Sequence, residues 1–181
     1  AGANWEQALA QRGYVIWRMD NRGSNFRGHA FEKVVHKQFG KQELADQLEG
    51  VDHLVQLGFV DPARIGIYGW SYGGYMTLYS LTHSKSFAAG VAGAPVTDWR
   101  HYDTIYTERY MSTPQKNPDG YKTSSVVEGA PNLSGRLLIV HGMMDDNVHV
   151  QNSIRLGHCR DRSIVFEEHA PCEAWCCGGE I

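Results

Sequence analysis

Ser71 lies in the run Gly69-Trp70-Ser71-Tyr72-Gly73, with Gly74 directly behind it. A serine hydroxyl is a weak nucleophile at neutral pH. It needs a base, an acid to orient that base, and donors for the oxyanion that its attack creates. Gly-x-Ser-x-Gly also arises in ordinary glycine-rich turns, so the flanking sequence decides its meaning. Here a short apolar run at 64–68 reads as a strand, and 72–83 reads as a mostly buried helix. A strand-to-helix turn of this kind is a nucleophile elbow. It predicts strained backbone at Ser71 and no room for side chains at Gly69 and Gly73. It also presents the backbone N–H of Tyr72 to a developing oxyanion, a donor typically worth about 3 kcal/mol.

Proteins with this turn carry the triad in the chain order Ser, acid, His. The acid belongs after a later strand, and RLLIVHGMMDDNVH (136–149) supplies one, ending in Asp145 and Asp146. One of the two can orient an imidazole; two unpaired buried carboxylates side by side would be costly. For the base, His169 is the candidate with a strand-like segment (SIVF, 163–166) ahead of it. Its separation from Asp145 is short for a helix, a strand and two connections. His149 lies within the acid loop, and His141, at the strand end, reads as structural. His29, His36, His53, His83 and His101 precede the acid, the wrong order for this class.

Positioning these groups requires alternating strands and helices. KQELADQLEGVDHLVQLG (41–58) repeats Leu44, Leu48, Val51 and Val55 at helical spacing, with Gly58 as a stop signal. GYVIWR (13–18) reads as a short buried strand, 19–30 as a polar loop, and 88–96 as a small-residue strand running into a loop. Strands alternating with helices predict a mostly parallel, doubly wound sheet with helices on both faces. Ligands bind such sheets at the C-terminal strand ends, where Ser71 and Asp145 both fall.

The balance of 17 basic and 20 acidic side chains, net charge −3, argues against a nucleic-acid surface. No stretch approaches the roughly 20 apolar residues of a membrane span. The 181 residues suit one domain or a large piece of one, and the chain does not begin with Met, as expected of a fragment. All four cysteines, Cys159, Cys172, Cys176 and Cys177, fall near the C-terminus, with His158 and His169 beside them. Disulfides or a metal site are one reading of that cluster. Its spacing matches no common metal signature, and neither a metal nor a cofactor is expected.

With these residues in place, the chain resembles the hydrolase domain of the prolyl oligopeptidase family, in particular its dipeptidyl peptidase IV group. The resemblance rests on DNRGS (20–24), GFVDPARIGIYGWSYGG (58–74), APVTDW (94–99), YDTIYTERYM (102–111) and HGMMDDNVH (141–149). It covers residues 1 to about 156 and implies an α/β-hydrolase fold, incomplete at both ends. It further implies Ser71 as nucleophile, Asp145 as triad acid and Tyr72 as oxyanion donor. Val96, Trp99, Tyr102, Tyr106 and Val148 match the walls of the pocket for the residue before the scissile bond. Asn147 matches a residue that binds a substrate carbonyl, and Asp103 supports that loop. An aromatic pocket suits a rigid, apolar proline ring. Tyr102 and Tyr106 would share one face if 99–110 is helical, and the polar residues Arg100, Asp103, Thr107, Glu108 and Arg109 favour a site there over plain core.

The implied activity is a serine exopeptidase, cleaving after Pro or Ala near a free N-terminus through an acyl-enzyme. The implied setting is periplasmic or secreted, with a homodimer for the complete enzyme. A prolyl tripeptidyl peptidase and a non-catalytic binding domain on the same fold are the alternatives. The family's propeller domain, first hydrolase strands and second oxyanion donor are not in this sequence. From Gly157 the pattern breaks, and 157–181 reads as an out-of-frame or truncated tail. By that reading the fragment alone is inactive.

Overall fold

The computed structural model describes residues 4–159. Helix α1 (Asn4–Gln11) leads into an irregular segment and a short helix α2 (His29–Glu32), followed by the long α3 (Lys41–Gln56). Strand β1 (Gly66–Trp70), helix α4 (Tyr72–His83) and strand β2 (Ala89–Gly93) then form a strand–helix–strand unit. Helices α5 (Thr104–Met111), α6 (Pro118–Thr123) and α7 (Val126–Gly129) precede strand β3 (Arg136–Val140) and helix α8 (Gln151–His158). The strands form one parallel sheet in the order β1-β2-β3, with Gly69 opposite Ala92 and Ala92 opposite Ile139. As the sequence predicts, all three point their C-terminal ends the same way.

Helix α4 lies on one face of the sheet. Its Tyr75, Leu78 and Leu81 are fully buried and pack in one cluster with Ala92, Ile139, Met111, Val126 and Leu156. On the opposite face Trp5 of α1 meets Tyr68 edge-on at 5.2 Å. Helices therefore reach both faces, as doubly wound topology requires.

Helix α4 and strand β3 occupy the predicted residues. Strand β1 starts later than 64–68 suggests, because Asp61 and Pro62 fold 62–64 into a 3-10 turn, with Asp61 accepting from the Ala63 N–H. A larger difference falls at 13–18. The run GYVIWR forms no strand and is largely exposed, Tyr14 at 62% and Trp17 at 44%. An apolar run becomes a strand only beside a ladder partner, and neither edge of the described sheet pairs with it. Helix α3 forms as expected, but its buried residues are Glu43, Leu44, Asp46, Gly50 and Leu54. Leu48, Val51 and Val55 are only half-buried.

Candidate active site

Ser71 sits at φ +54°, ψ −113°, a left-handed position unusual for a non-glycine residue, immediately before α4. Its N–H donates to the Gly93 carbonyl at 2.9 Å, and its own carbonyl accepts from the Tyr75 N–H. The bend is thus tied to β2 on one side and to the first turn of α4 on the other. Gly69 is required, because a Cβ there would drive into the Gly73 backbone. Gly73 itself corrects the sequence expectation: a Cβ there meets nothing within 4 Å. The close approach belongs instead to Gly74, whose Cβ would overlap the Gly93 carbonyl and lie 3.1 Å from Pro95 Cα.

Tyr72 is the first residue of α4, so its N–H has no acceptor within the helix. Its ring packs 5.5 Å from each of Phe39, Tyr75 and Trp99. Its hydroxyl donates to Glu43 Oε1 at 2.6 Å. Burial, reinforced by the neighbouring carboxylate, pushes the Tyr72 phenol well above the ordinary tyrosine range.

The acid loop at the end of β3 is built from hydrogen bonds. Asp145 Oδ1 accepts from the N–H groups of Asn147 (3.0 Å) and Val148 (2.9 Å). Beneath it His141 is fully buried. Its Nε2 lies 2.7 Å from the Val148 carbonyl and its Nδ1 2.7 Å from Ser153 Oγ. The carbonyl can only accept, so Nε2 carries a proton and donates to it, and Nδ1 forms its hydrogen bond with the Ser153 hydroxyl. Asp145 Oδ2 lies 3.6 Å from His141 Nε2. One residue before Ser153, Asn152 binds Thr97: its Oδ1 accepts from the Thr97 N–H (3.1 Å) and its carbonyl from the Thr97 hydroxyl (2.9 Å). Helix α8 therefore pins both the β2 loop and the acid loop. Asp146 and His149 are exposed.

Between the two loops lies an aromatic cluster. Trp99 (1% exposed) contacts Tyr72, Tyr102 and Tyr106, and Tyr102 and Tyr106 meet edge-on at 5.3 Å. Tyr102 precedes α5 instead of lying on it, yet the two rings still share a face. The Tyr102 hydroxyl donates to Asn147 Oδ1 at 3.0 Å, which directs the Asn147 Nδ2 protons elsewhere. Val96 and Val148 are buried behind these rings. Burial raises the phenols of Tyr102 and Tyr106, which stay neutral donors at physiological pH. Much of the polar character of the stripe has a structural use. Asp103 caps α5 by accepting from the Tyr106 N–H at 2.7 Å, Arg100 pairs with Asp98, and the Arg109 guanidinium lies over the Tyr110 ring.

Ser71, Tyr72, Val96, Trp99, Tyr102, Tyr106, Asp145, Asn147 and Val148 thus gather at the C-terminal edge of one sheet. His169, Cys172, Cys176 and Cys177 lie outside the described residues. Among the described residues no cluster of His, Cys, Asp and Glu could hold a metal ion, and no helix is long and apolar enough to cross a membrane. Sequence reasoning missed Glu43, Asn152 and Ser153. Only Glu43 carried a signal: it stands three residues after Gly40, whose N–H it accepts at 3.1 Å, half of a capping box.

A parallel sheet with a strained serine at a strand-to-helix turn and a carboxylate beyond a later strand defines an α/β-hydrolase fold. The prolyl oligopeptidase family profile matches residues 2–159. The chain belongs to that family. It is 48% identical over 147 residues to "Probable dipeptidyl peptidase 4" of Emericella nidulans, covering 80% of this chain and 19% of that protein. With "Probable dipeptidyl-aminopeptidase B" of Neurospora crassa it shares 45% over 156 residues, 84% of this chain and 17% of the other. The crystal structure of Porphyromonas gingivalis dipeptidyl peptidase 4 superposes with a TM-score of 0.86 at 48% identity, covering 91% of this chain and 24% of that one. The chain spans less than a quarter of the length of these relatives.

Proposed function

We propose that this chain carries the hydrolase site of a serine exopeptidase that releases dipeptides ending in Pro or Ala from free N-termini. The observation that carries the reading is the left-handed backbone of Ser71 at the start of α4, with the Asp145 loop two strands away. Adjacent strands lie about 4.8 Å apart, so the ends of β1 and β3 are separated by about 10 Å. A histidine imidazole between the Ser71 and Asp145 side chains would bridge that separation.

In this mechanism Ser71 Oγ attacks the scissile carbonyl while a histidine takes the hydroxyl proton. We assign that histidine to His169. The Tyr72 N–H stabilises the tetrahedral oxyanion. Collapse expels the amine, which takes the proton from the imidazolium, and water repeats the sequence to release the acyl group. Asp145 orients the imidazole and stabilises its positive charge. Tyr102 and Tyr106 form the accessible wall of a proline-sized pocket, with Val96, Trp99 and Val148 as its packed floor, and Asn147 Nδ2 donates to a substrate carbonyl. Residues 1–156 form the partial peptidase domain, and 157–181 diverge from it.

A fluorophosphonate probe tests the nucleophile. In the complete polypeptide Ser71 is expected to be labelled, Ser71→Ala to abolish labelling and Asp145→Asn to slow it. Failure of the folded, complete polypeptide to label at Ser71 overturns the assignment. In the complete polypeptide, glycyl-proline aryl amide is expected to be cleaved and its N-acetyl form spared. Equal cleavage of both excludes an exopeptidase.

A further inference from the structure

Glu43 lies on α3, remote in sequence from the elbow, yet it is 1% exposed and touches the oxyanion residue directly. Its Oε1 accepts both the Tyr72 hydroxyl at 2.6 Å and the Gly40 N–H at 3.1 Å. Its Oε2 is buried and makes no hydrogen bond with the described residues. Burial pushes this carboxyl above the ordinary glutamate range, against the lowering effect of its two hydrogen bonds. A half-satisfied carboxyl beside aromatic rings is a poor source of stability. An apolar side chain of similar volume in such a place is often neutral or better. Stability alone therefore does not account for a glutamate here.

We propose that Glu43 is a positioning residue for the oxyanion donor, acting through the phenol of Tyr72; the inference rests on the acyl-transfer reading above. The peptide unit between Ser71 and Tyr72 carries the donor N–H. Rotation about Ser71 ψ, the motion that relaxes a strained left-handed residue, swings that N–H away from its aim. The Tyr72 side chain opposes this rotation. Its ring is held by Phe39, Tyr75 and Trp99, and its hydroxyl is fixed at the far end by Glu43. The value of an oxyanion donor lies in its preorganised direction, so a hold on the side chain is a hold on the rate.

Glu43→Gln keeps an oxygen acceptor for both donors, whereas Glu43→Leu removes it and retains the volume. In the complete polypeptide the rate of Ser71 labelling by a fluorophosphonate is expected to fall about tenfold in Glu43→Leu, a fraction of the effect of losing a whole donor. Glu43→Gln is expected to stay within about threefold of the parent. Tyr72→Phe is expected to be as slow as Glu43→Leu, and the double variant no slower than either, the signature of two residues acting as one unit. Urea unfolding of each variant shows whether it is folded. Folded Glu43→Leu labelling at the parental rate, Glu43→Gln as slow as Glu43→Leu, or additive losses in the double variant would each overturn the proposal. Should the complete polypeptide of parental sequence not label at all, the serine-peptidase reading falls by itself. The positioning claim is then read from the urea cycle. Tyr72→Phe is expected to shift the midpoint in the parent and not in the Glu43→Leu background; equal shifts in both overturn it.

Discussion

At the end of β1 the chain turns through Ser71 at φ +54°, with no side-chain cap on the helix that follows. At the end of β3 it turns through 141–149 without a single left-handed non-glycine residue, and Asp145 and His141 together make four hydrogen bonds there. The first turn is held by absent side chains: Gly69 and Gly74 let backbone meet backbone, and the surrounding packing sustains the strain. The second is held by present ones, a buried imidazole and a carboxylate that between them bind three backbone groups and a hydroxyl. A nucleophile must project at a fixed angle, which steric exclusion enforces. An acid, the role proposed for Asp145, must point one way, which directed donors achieve.

The contrast breaks first at Gly69. A side chain at this position meets backbone that cannot rotate away, so Gly69→Ala is expected to cost about 3 kcal/mol or more in urea unfolding and to abolish Ser71 labelling. Gly73→Ala, four residues on, is expected to be neutral or slightly stabilising, since the space is open and alanine favours a helix. A Gly73→Ala loss equal to that of Gly69→Ala would refute the steric account of the elbow.

The acid loop should fail differently. His141→Ala leaves the Val148 carbonyl and the Ser153 hydroxyl unpaired in a fully buried site and opens a cavity, for an expected loss of about 2–3 kcal/mol. Ser153→Ala removes one of the two bonds and is expected to cost about 1 kcal/mol. If both variants unfold at the parental urea concentration, the loop is not pinned by the imidazole.

Acid and base should also separate two carboxyls of α3, only one of which touches the elbow. Under the elbow, Glu43 has a raised folded-state pKa, so between the unfolded and folded values the native state holds a proton that the unfolded chain has released. Stability from this group is complete below the ordinary glutamate range and is lost as pH rises through the folded value. Asp46, one turn along α3, does the reverse. The Arg22 hydrogen bond lowers its pKa, and its contribution is lost as pH falls. Urea midpoints across pH 2–8 are expected to flatten on the rising-pH side in Glu43→Gln and on the acid side in Asp46→Asn. Unchanged profiles would mean that neither carboxyl titrates with folding.

The same contrast explains what the sequence could reveal. The elbow was legible because its constraints are local: three glycines, a serine and a change of period from strand to helix sit within a dozen residues. The acid loop was legible as a polar run after an apolar strand, but its fastening was not. His141, Val148 and Ser153 meet only once α8 folds back, and nothing in their spacing announces it. GYVIWR carries the apolar character of a strand, but strand pairing is non-local, and the run stays exposed among the described residues. Glu43 was overlooked because the apolar period of α3 drew attention to Leu44, Leu48, Val51 and Val55, whereas the helix turns Glu43, Asp46, Gly50 and Leu54 inward.

The smallest effect bears on the region between the two turns, where sequence reasoning took polar residues as a sign of a binding site. Asp103 is the test. Its carboxylate caps α5 through the Tyr106 N–H, and Tyr106 is a wall of the proposed proline pocket. Asp103→Ala is expected to cost about 1 kcal/mol, the ordinary worth of an N-cap, and Asp103→Asn or Asp103→Ser to recover most of it. A residue that only caps should change KM for a glycyl-proline aryl amide in the complete polypeptide in step with that loss, and the substitutes should restore both together. A carboxylate that binds substrate directly would behave otherwise: Asp103→Ser would regain stability and leave KM raised. The second outcome would move Asp103 from scaffold to pocket and make the middle of the molecule, like its two edges, part of the chemistry.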